Sequence, residues 1–161
     1  MRQIALCLAL VASLSACGLQ PMYAGGRSGP VAEALASVRV EPIPGRNGWF
    51  MRNALEDRLA AMGKAEPRYL LQVELDDRIE GLGVRADDTV TRERRTLRAR
   101  YQLINIQDGE IVLDETTGWD AGIDVASSEY ATVAAEDTAL ERLTDIVADR
   151  ILASLALRAW Q

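Results

Sequence analysis

A long apolar stripe near the C terminus constrains the fold of this chain more than any other sequence feature. Large aliphatic residues recur there at steps of three or four positions, which is the spacing of one helix face. The stripe consists of Leu140, Leu143, Val147, Ile151 and Leu155. It predicts one amphipathic helix from about residue 127 to Leu157, and such a helix needs an apolar surface elsewhere in the chain to cover its stripe.

Three upstream segments alternate apolar and polar residues and supply that surface. A period of two predicts strands with one buried face over 69–76, 89–106 and 111–116, and the last strand can continue to Trp119. Asp108 and Gly109 form a hairpin-turn signal between the last two strands. We interpret residues 81–83, which include two glycines, as a flexible turn.

Two shorter elements complete the predicted order. Val38 and Val40 alternate with polar neighbours and predict a short strand over 35–42. Asn47 as N-cap and Gly63 as stop signal bracket a helix over 49–62. The order is therefore β-α-β-β-β-α. It predicts an α+β fold, a two-layer sandwich in which two helices pack on one face of a four-stranded mixed or antiparallel sheet.

The N-terminal stretch has the pattern of a secretory signal peptide. Arg2 supplies a positive charge, and residues 4–14 form an almost unbroken apolar run. The run is shorter than the roughly 20 residues of a membrane-spanning helix. Leu14-Ser15-Ala16-Cys17 resembles the bacterial lipobox, a signal in which the cysteine sulfur receives a diacylglycerol and the chain is cut just before that cysteine. The resemblance implies a lipidated Cys17.

These features divide the chain into three parts. Residues 1–16 are the expected lipoprotein signal peptide. Residues 17–34, with several glycines and prolines, are the expected lipidated N terminus and tether. Residues 35–161 are expected to form a single α/β domain, whose length suits one hydrophobic core.

The composition of the chain argues against several classes of function. The chain has no histidine, which excludes His-based triads and most zinc sites. Its net charge of −6 argues against nucleic acid as a partner, because phosphates attract basic surfaces. The sequence contains no phosphate-binding loop or nucleophile motif. We therefore predict no catalytic residue, no metal site and no cofactor.

Three smaller features have a plain interpretation and a functional one. Asp76-Asp77 and Asp87-Asp88 could form a metal site or an acid/base pair, but we interpret both as solvated turn residues because they lack a ligand spacing such as that of an EF-hand. Trp49 lies beside a Pro/Gly turn and is either a packing residue or an exposed partner contact.

Arginines are concentrated in one predicted strand. On a continuous strand, Arg92, Arg94, Arg98 and Arg100 share one face and Arg95 points to the other. Guanidinium groups at neighbouring positions can bind phosphate or carboxylate in a bidentate manner, which makes the four a candidate anion-binding site. The alternatives are a solvated sheet face and an edge strand that charge protects against aggregation.

The start of the expected mature chain resembles a known family. Cys17-Gly18-Leu19-Gln20-Pro21-Met22-Tyr23 is similar to the beginning of LptE, the LPS-assembly lipoprotein family, in its alphaproteobacterial members, although Met22 stands where leucine is more usual. The resemblance implies a non-enzymatic lipoprotein that is anchored in the outer membrane by its lipid and faces the periplasm or lies inside its partner. That partner is the LptD β-barrel, which family members plug and help to assemble while they take part in the delivery of lipopolysaccharide.

Lipopolysaccharide carries phosphates or acidic sugars near its lipid, and this leads to a hypothesis for the arginines. We expect Arg92, Arg94, Arg98 and Arg100 to contact those groups. Two other functions stay open at this point. One is a different accessory lipoprotein, such as a secretion pilot or an auxiliary subunit of a lipid transporter. The other is a small periplasmic hydrolase, against which the missing histidine and nucleophile motif count.

Overall fold

The structure is a computed structural model that describes residues 29–84, 90–126 and 128–158. Helices and strands alternate along these residues. In chain order they are α1 (Pro30–Ala36), β1 (Val38–Val40), α2 (Gly45–Met62), β2 (Tyr69–Val84), β3 (Val90–Asn105), β4 (Ile111–Asp124) and α3 (Glu129–Arg158). The expected signal peptide, Cys17 and the Asp87-Asp88 pair lie outside the described residues.

The four strands form one mixed sheet in the order β1-β2-β3-β4. β1 and β2 are parallel, which is possible because the connection between them contains α2, and the other neighbouring strands are antiparallel. The predicted α+β class is confirmed, as is the order of the six predicted elements. The structure adds α1 in front of them.

The core lies between the sheet and the two long helices. The face of the sheet that the helices cover, called the inner face below, contributes alternate residues of β3. These buried residues are Leu97, Ala99, Tyr101 and Leu103. The predicted stripe of α3 packs in the same cluster, and all five of its members are fully buried. Burial of an aliphatic side chain of this size contributes about 1.5–3 kcal/mol, so the stripe fixes α3 on the sheet.

Helix α2 begins at Gly45, four residues earlier than the sequence suggested. Its N-cap is Pro44 rather than Asn47, and no side chain caps the helix. Asn47 lies in the first turn, where its Nδ2 donates a hydrogen bond to Oδ2 of Asp77 at 2.6 Å. The predicted N-cap residue therefore ties α2 to β2 instead.

Strand β2 is longer than predicted and corrects two interpretations. Residues 81–83 belong to the strand and are not a turn, since Gly81 is paired with Glu93 of β3. A ladder of backbone hydrogen bonds can include glycine because the bonds do not involve side chains. Asp76 and Asp77 also lie within this strand, so their assignment to a turn is wrong.

Helix α1 begins inside the segment 17–34 that we expected to be a tether and continues two residues beyond it. Pro30 occupies its first turn, where the missing N–H of proline costs no hydrogen bond. Ala32 and Leu35 are buried in the domain. The packed part of the chain therefore starts before residue 35, and the remainder of the expected tether, 17–28, lies outside the described residues.

Candidate functional site

The face of the sheet opposite the helices, called the outer face below, carries the arginines singled out from the sequence. Arg92, Arg94, Arg98 and Arg100 are exposed there on β3 and are called the arginine row. Arg95 points to the inner face and is buried. Because β3 lies between β2 and β4, the arginine row follows the middle of the sheet, and the alternative of a charge-protected edge strand does not apply to it.

Acidic residues flank the arginine row on both neighbouring strands. Arg98 is paired with Asp76 of β2, and Arg92 is paired with Asp124 of β4. The outer face thus has an acidic row on β2, a basic row on β3 and a second acidic row on β4. The acidic rows comprise Glu74, Asp76 and Glu80 on β2, where Arg78 interrupts them, and Asp114, Asp120 and Asp124 on β4.

The two ends of the arginine row are held by carboxylates of β4. Arg100 binds Asp114 in a bidentate manner, with Nε donating to Oδ1 at 3.1 Å and Nη2 to Oδ2 at 2.8 Å. These hydrogen bonds, with one from Gln102, lower the pKa of Asp114 to about 2. The same contact raises the pKa of Arg100 above its ordinary value. At the other end, Nε of Arg92 donates to Oδ1 of Asp124 at 3.2 Å.

The middle of the arginine row differs from its ends. The side chains of Arg94 and Arg98 have no hydrogen bond or ion pair with any other described residue. Both line a depression of about 340 Å³ in the outer face. Its other lining residues are Asp76, Arg78, Glu80, Thr96 and Asp120. This depression is the place on the outer face where two guanidinium groups are available to an anionic ligand.

Arg95 forms a buried ion pair that sequence reasoning missed. Its Nε donates to Oδ1 of Asp77 at 2.9 Å, and its Nη2 donates to Oδ2 at 2.5 Å. Its Nη1 also donates to the backbone carbonyl of Glu136 in α3 at 2.8 Å. Asn47 of α2 completes the shell around the carboxylate of Asp77. One largely buried cluster therefore connects β2, β3, α2 and α3, and Asp77 is a mostly covered ion-pair partner rather than the solvated residue that we expected.

The other sequence candidates are spread over the molecule. Trp49 is 60% exposed at the start of α2 and packs edge-on against Phe50 with a ring-centre distance of 5.1 Å. It lies outside the depression lined by Arg94 and Arg98. In the described ranges, no three His, Cys, Asp or Glu side chains converge as metal ligands. None of the helices there is long and apolar enough to cross a membrane.

The fold is similar to those of several small bacterial lipoproteins of solved structure. A candidate lipoprotein from Caulobacter crescentus has 28% sequence identity and a TM-score of 0.68, and the match covers 83% of this chain and 98% of that one. A minor lipoprotein from Acinetobacter baumannii has 15% identity and a TM-score of 0.61, with 75% and 91% covered. The rare lipoprotein B from Shewanella oneidensis has 12% identity and a TM-score of 0.56, with 74% and 92% covered. The last two similarities show the fold alone.

Sequence comparison then gives the family. A model of the LptE family, described as lipopolysaccharide-assembly, matches residues 35–155. The chain therefore belongs to the LptE family, and the resemblance inferred from its first residues is confirmed. The match runs from the end of α1 to the last turns of α3 and includes the whole sheet. No curated protein sequence matches the chain.

Proposed function

We propose that this chain is a non-enzymatic outer-membrane lipoprotein that binds the LptD β-barrel, helps it to assemble and takes part in lipopolysaccharide delivery to the cell surface. The observation that carries the proposal is the LptE family match over residues 35–155. The family description, lipopolysaccharide-assembly, supports the process. The barrel partner follows from the family resemblance, and the role of the arginines from the geometry of the outer face.

The proposed membrane attachment depends on Cys17. A signal peptide over 1–16 would be removed, and the cysteine would carry the fatty chains. Two or more acyl chains give stable anchoring, whereas one gives only marginal binding. Residues 17–29 would then span at most roughly 47 Å if fully extended, at about 3.3–3.6 Å per residue. The domain would therefore stay close to the membrane or to a protein embedded in it.

The proposed lipopolysaccharide contact centres on Arg94 and Arg98. Both are exposed, both line the same depression, and neither has a described carboxylate bound to it. Each guanidinium group matches the geometry of two phosphate oxygens, and such charge-assisted hydrogen bonds are the stronger kind. Arg92 and Arg100 belong to the same proposed site, but each would have to exchange a carboxylate of β4 for the ligand.

Purification with the natural partner tests the barrel proposal. The full chain, carrying a C-terminal tag, is extracted from native membranes in mild detergent and captured together with the proteins that remain bound to it. We expect a large outer-membrane β-barrel of the LptD type in stoichiometric amount. Capture of an inner-membrane ATPase complex in its place would contradict the proposal and favour an auxiliary transporter subunit.

Substitution of Arg94 and Arg98 tests the lipid contact. Arg94→Ala with Arg98→Ala should weaken lipopolysaccharide binding by about tenfold to a hundredfold for each arginine, since a hydrogen bond to a charged group contributes roughly 1.5–3 kcal/mol. The matched control is Arg92→Ala with Arg100→Ala, which removes the same charge from the same strand but from arginines already bound to carboxylates. We expect a smaller loss there. Equal losses in both variants, or none, measured with purified lipopolysaccharide and unchanged circular dichroism, would reject the assignment.

A further inference from the structure

Strand β4 forms one edge of the sheet, and no described strand pairs with its outer side. It is 14 residues long, or about 45 Å, and it is the last strand in the sheet order, so among the described residues it is paired only with β3. Natural proteins usually blunt such an edge with charged side chains (lysine above all), proline, a bulge, a short strand or a covering element. From Ile111 to Asp124 the sequence has no lysine, arginine or proline, and its four charged residues are all acidic, so they disfavour the addition of an acidic strand but not of a basic one. The one irregularity in its pairing lies at its start, beside Leu103 and Ile104.

The backbone groups along this edge point away from the sheet at alternate residues. In an antiparallel pair, each second residue directs both its N–H and its C=O away from the partner strand. The carbonyl of Gly118 is one of them, because it accepts a hydrogen bond from Nη1 of Arg150 in α3 at 3.3 Å. Thr116, Asp120 and Gly122 share its orientation by alternation. Gly122 has no side chain, and nothing lies within 4 Å of where its Cβ would be. At Gly118 an added strand would share the carbonyl with the guanidinium of Arg150.

The charge pattern of the outer face indicates what kind of strand would fit. Successive strands carry an acidic, a basic and an acidic row. Opposite charges on directly neighbouring strands stabilise a sheet, and like charges destabilise it. A strand added beyond β4 would have the acidic row of Asp114, Asp120 and Asp124 as its nearest neighbour, and a basic row would continue the alternation.

An exposed aromatic residue lies near the middle of the same edge. Trp119 is 45% exposed, and the guanidinium of Arg150 stacks on it at 4.1 Å from the ring centre. Trp and Arg are the side chains most often found at the energetic centre of protein interfaces. An added strand would therefore meet an aromatic contact on one face and a carboxylate row on the other.

We propose that β4 is a docking edge that takes up an extended, lysine- or arginine-rich segment of a partner protein as a fifth strand. Main-chain hydrogen bonds give such strand addition its affinity, and alternate side chains give it specificity. A second copy of this chain is a poor occupant, because two β4 strands would bring acidic rows together. The proposal is separate from lipopolysaccharide binding, since it uses the edge of β4 and not the guanidinium groups of Arg94 and Arg98.

Single-residue hydrogen exchange of the full chain in mild detergent tests the proposal. The probe is a short blocked peptide in which lysine and valine alternate. We expect the amides of Thr116, Gly118, Asp120 and Gly122 to exchange at least about tenfold more slowly when the peptide is bound, because they gain hydrogen-bond partners. The amides of Thr117 and Trp119, which already face β3, serve as internal controls and should change little. Unchanged exchange at saturating peptide would overturn the proposal.

Two further variants separate strand addition from simple charge attraction. In a bound peptide strand, alternate amides face β4 and the others face away from it. N-methylation of the set that faces β4 should abolish binding, and N-methylation of the other set should leave binding intact. Asp120→Lys should weaken the lysine peptide at least about tenfold and favour the same peptide with glutamate in place of lysine. Equal binding of both methylated peptides would reject strand addition. Protection of the β4 amides by self-association without peptide would also reject it, in favour of a second copy as the occupant.

Discussion

Asp77→Ala is expected to lower the free energy of unfolding by about 3–5 kcal/mol, the range for removal of one partner from a buried ion pair. The substitution leaves the guanidinium of Arg95 without its counter-charge, and the side chains of the pair are only 9% and 12% exposed. Since domains of this kind are stable by about 5–15 kcal/mol, the loss would be a large share of the total. Urea denaturation of the wild type and the variant, followed by circular dichroism, measures it.

Two comparison variants show whether the loss of stability in Asp77→Ala arises because the ion pair is buried. Asp137→Ala removes the carboxylate from the ion pair with Arg46, whose side chains are 60% and 38% exposed, and exposed pairs contribute little. Asp77→Leu combined with Arg95→Met removes both charges together and should recover most of the loss, because no buried charge is left unpaired. If Asp77→Ala were no more costly than Asp137→Ala, the polar cluster would not be desolvated in solution.

Cys17→Ser is expected to remove the chain from the outer-membrane fraction almost completely. Without the sulfur no diacylglycerol can be attached, and each buried CH₂ of a fatty chain contributes about 0.8 kcal/mol to membrane binding. The signal peptide should then remain on the chain, because its removal depends on the modified cysteine. Density-gradient fractionation of membranes and mass spectrometry of the intact chain measure both effects.

Cys7 provides a matched control, since it is the other cysteine of the chain and lies in the expected signal peptide. Cys7→Ser should leave the mature mass, the acyl chains and the membrane fraction unchanged. A wild-type chain that begins with Met1 and carries a free thiol at Cys17 would overturn the anchoring proposal. So would an acylated mass that persists in the Cys17→Ser variant.

The fold was predictable where one residue pattern decided the structure. The stripe from Leu140 to Leu155 and the alternation of Tyr69–Leu75 each require one buried face, and the structure has both. Sequence patterns did not predict the structure where contacts with distant parts of the chain determine it. Gly81 belongs to a strand because β3 pairs with it, and Pro30 begins a helix because Leu35 has a core to pack into.

The candidate site was predictable in part for the same reason. Strand alternation alone separates Arg95 from Arg94 and Arg98, as in the structure. It cannot show that Arg100 is bound by Asp114 or that Arg95 is bound by Asp77, because these contacts depend on the register between strands. The one available signal for Asp77 was the alternation of 69–76, which, continued by one residue, places this carboxylate on the side of the core.

The alternating rows of the outer face also determine how the electric field of this surface falls off with distance. Neighbouring rows are about 4.8 Å apart, and their opposite fields largely cancel within the Debye length of about 8 Å at physiological ionic strength. A uniformly basic sheet would attract any polyanion from solution, whereas this one is nearly neutral to a molecule that has not yet touched it. Recognition is thereby limited to ligands whose own anionic groups fit between the carboxylates at contact, and association gains little speed from electrostatic steering.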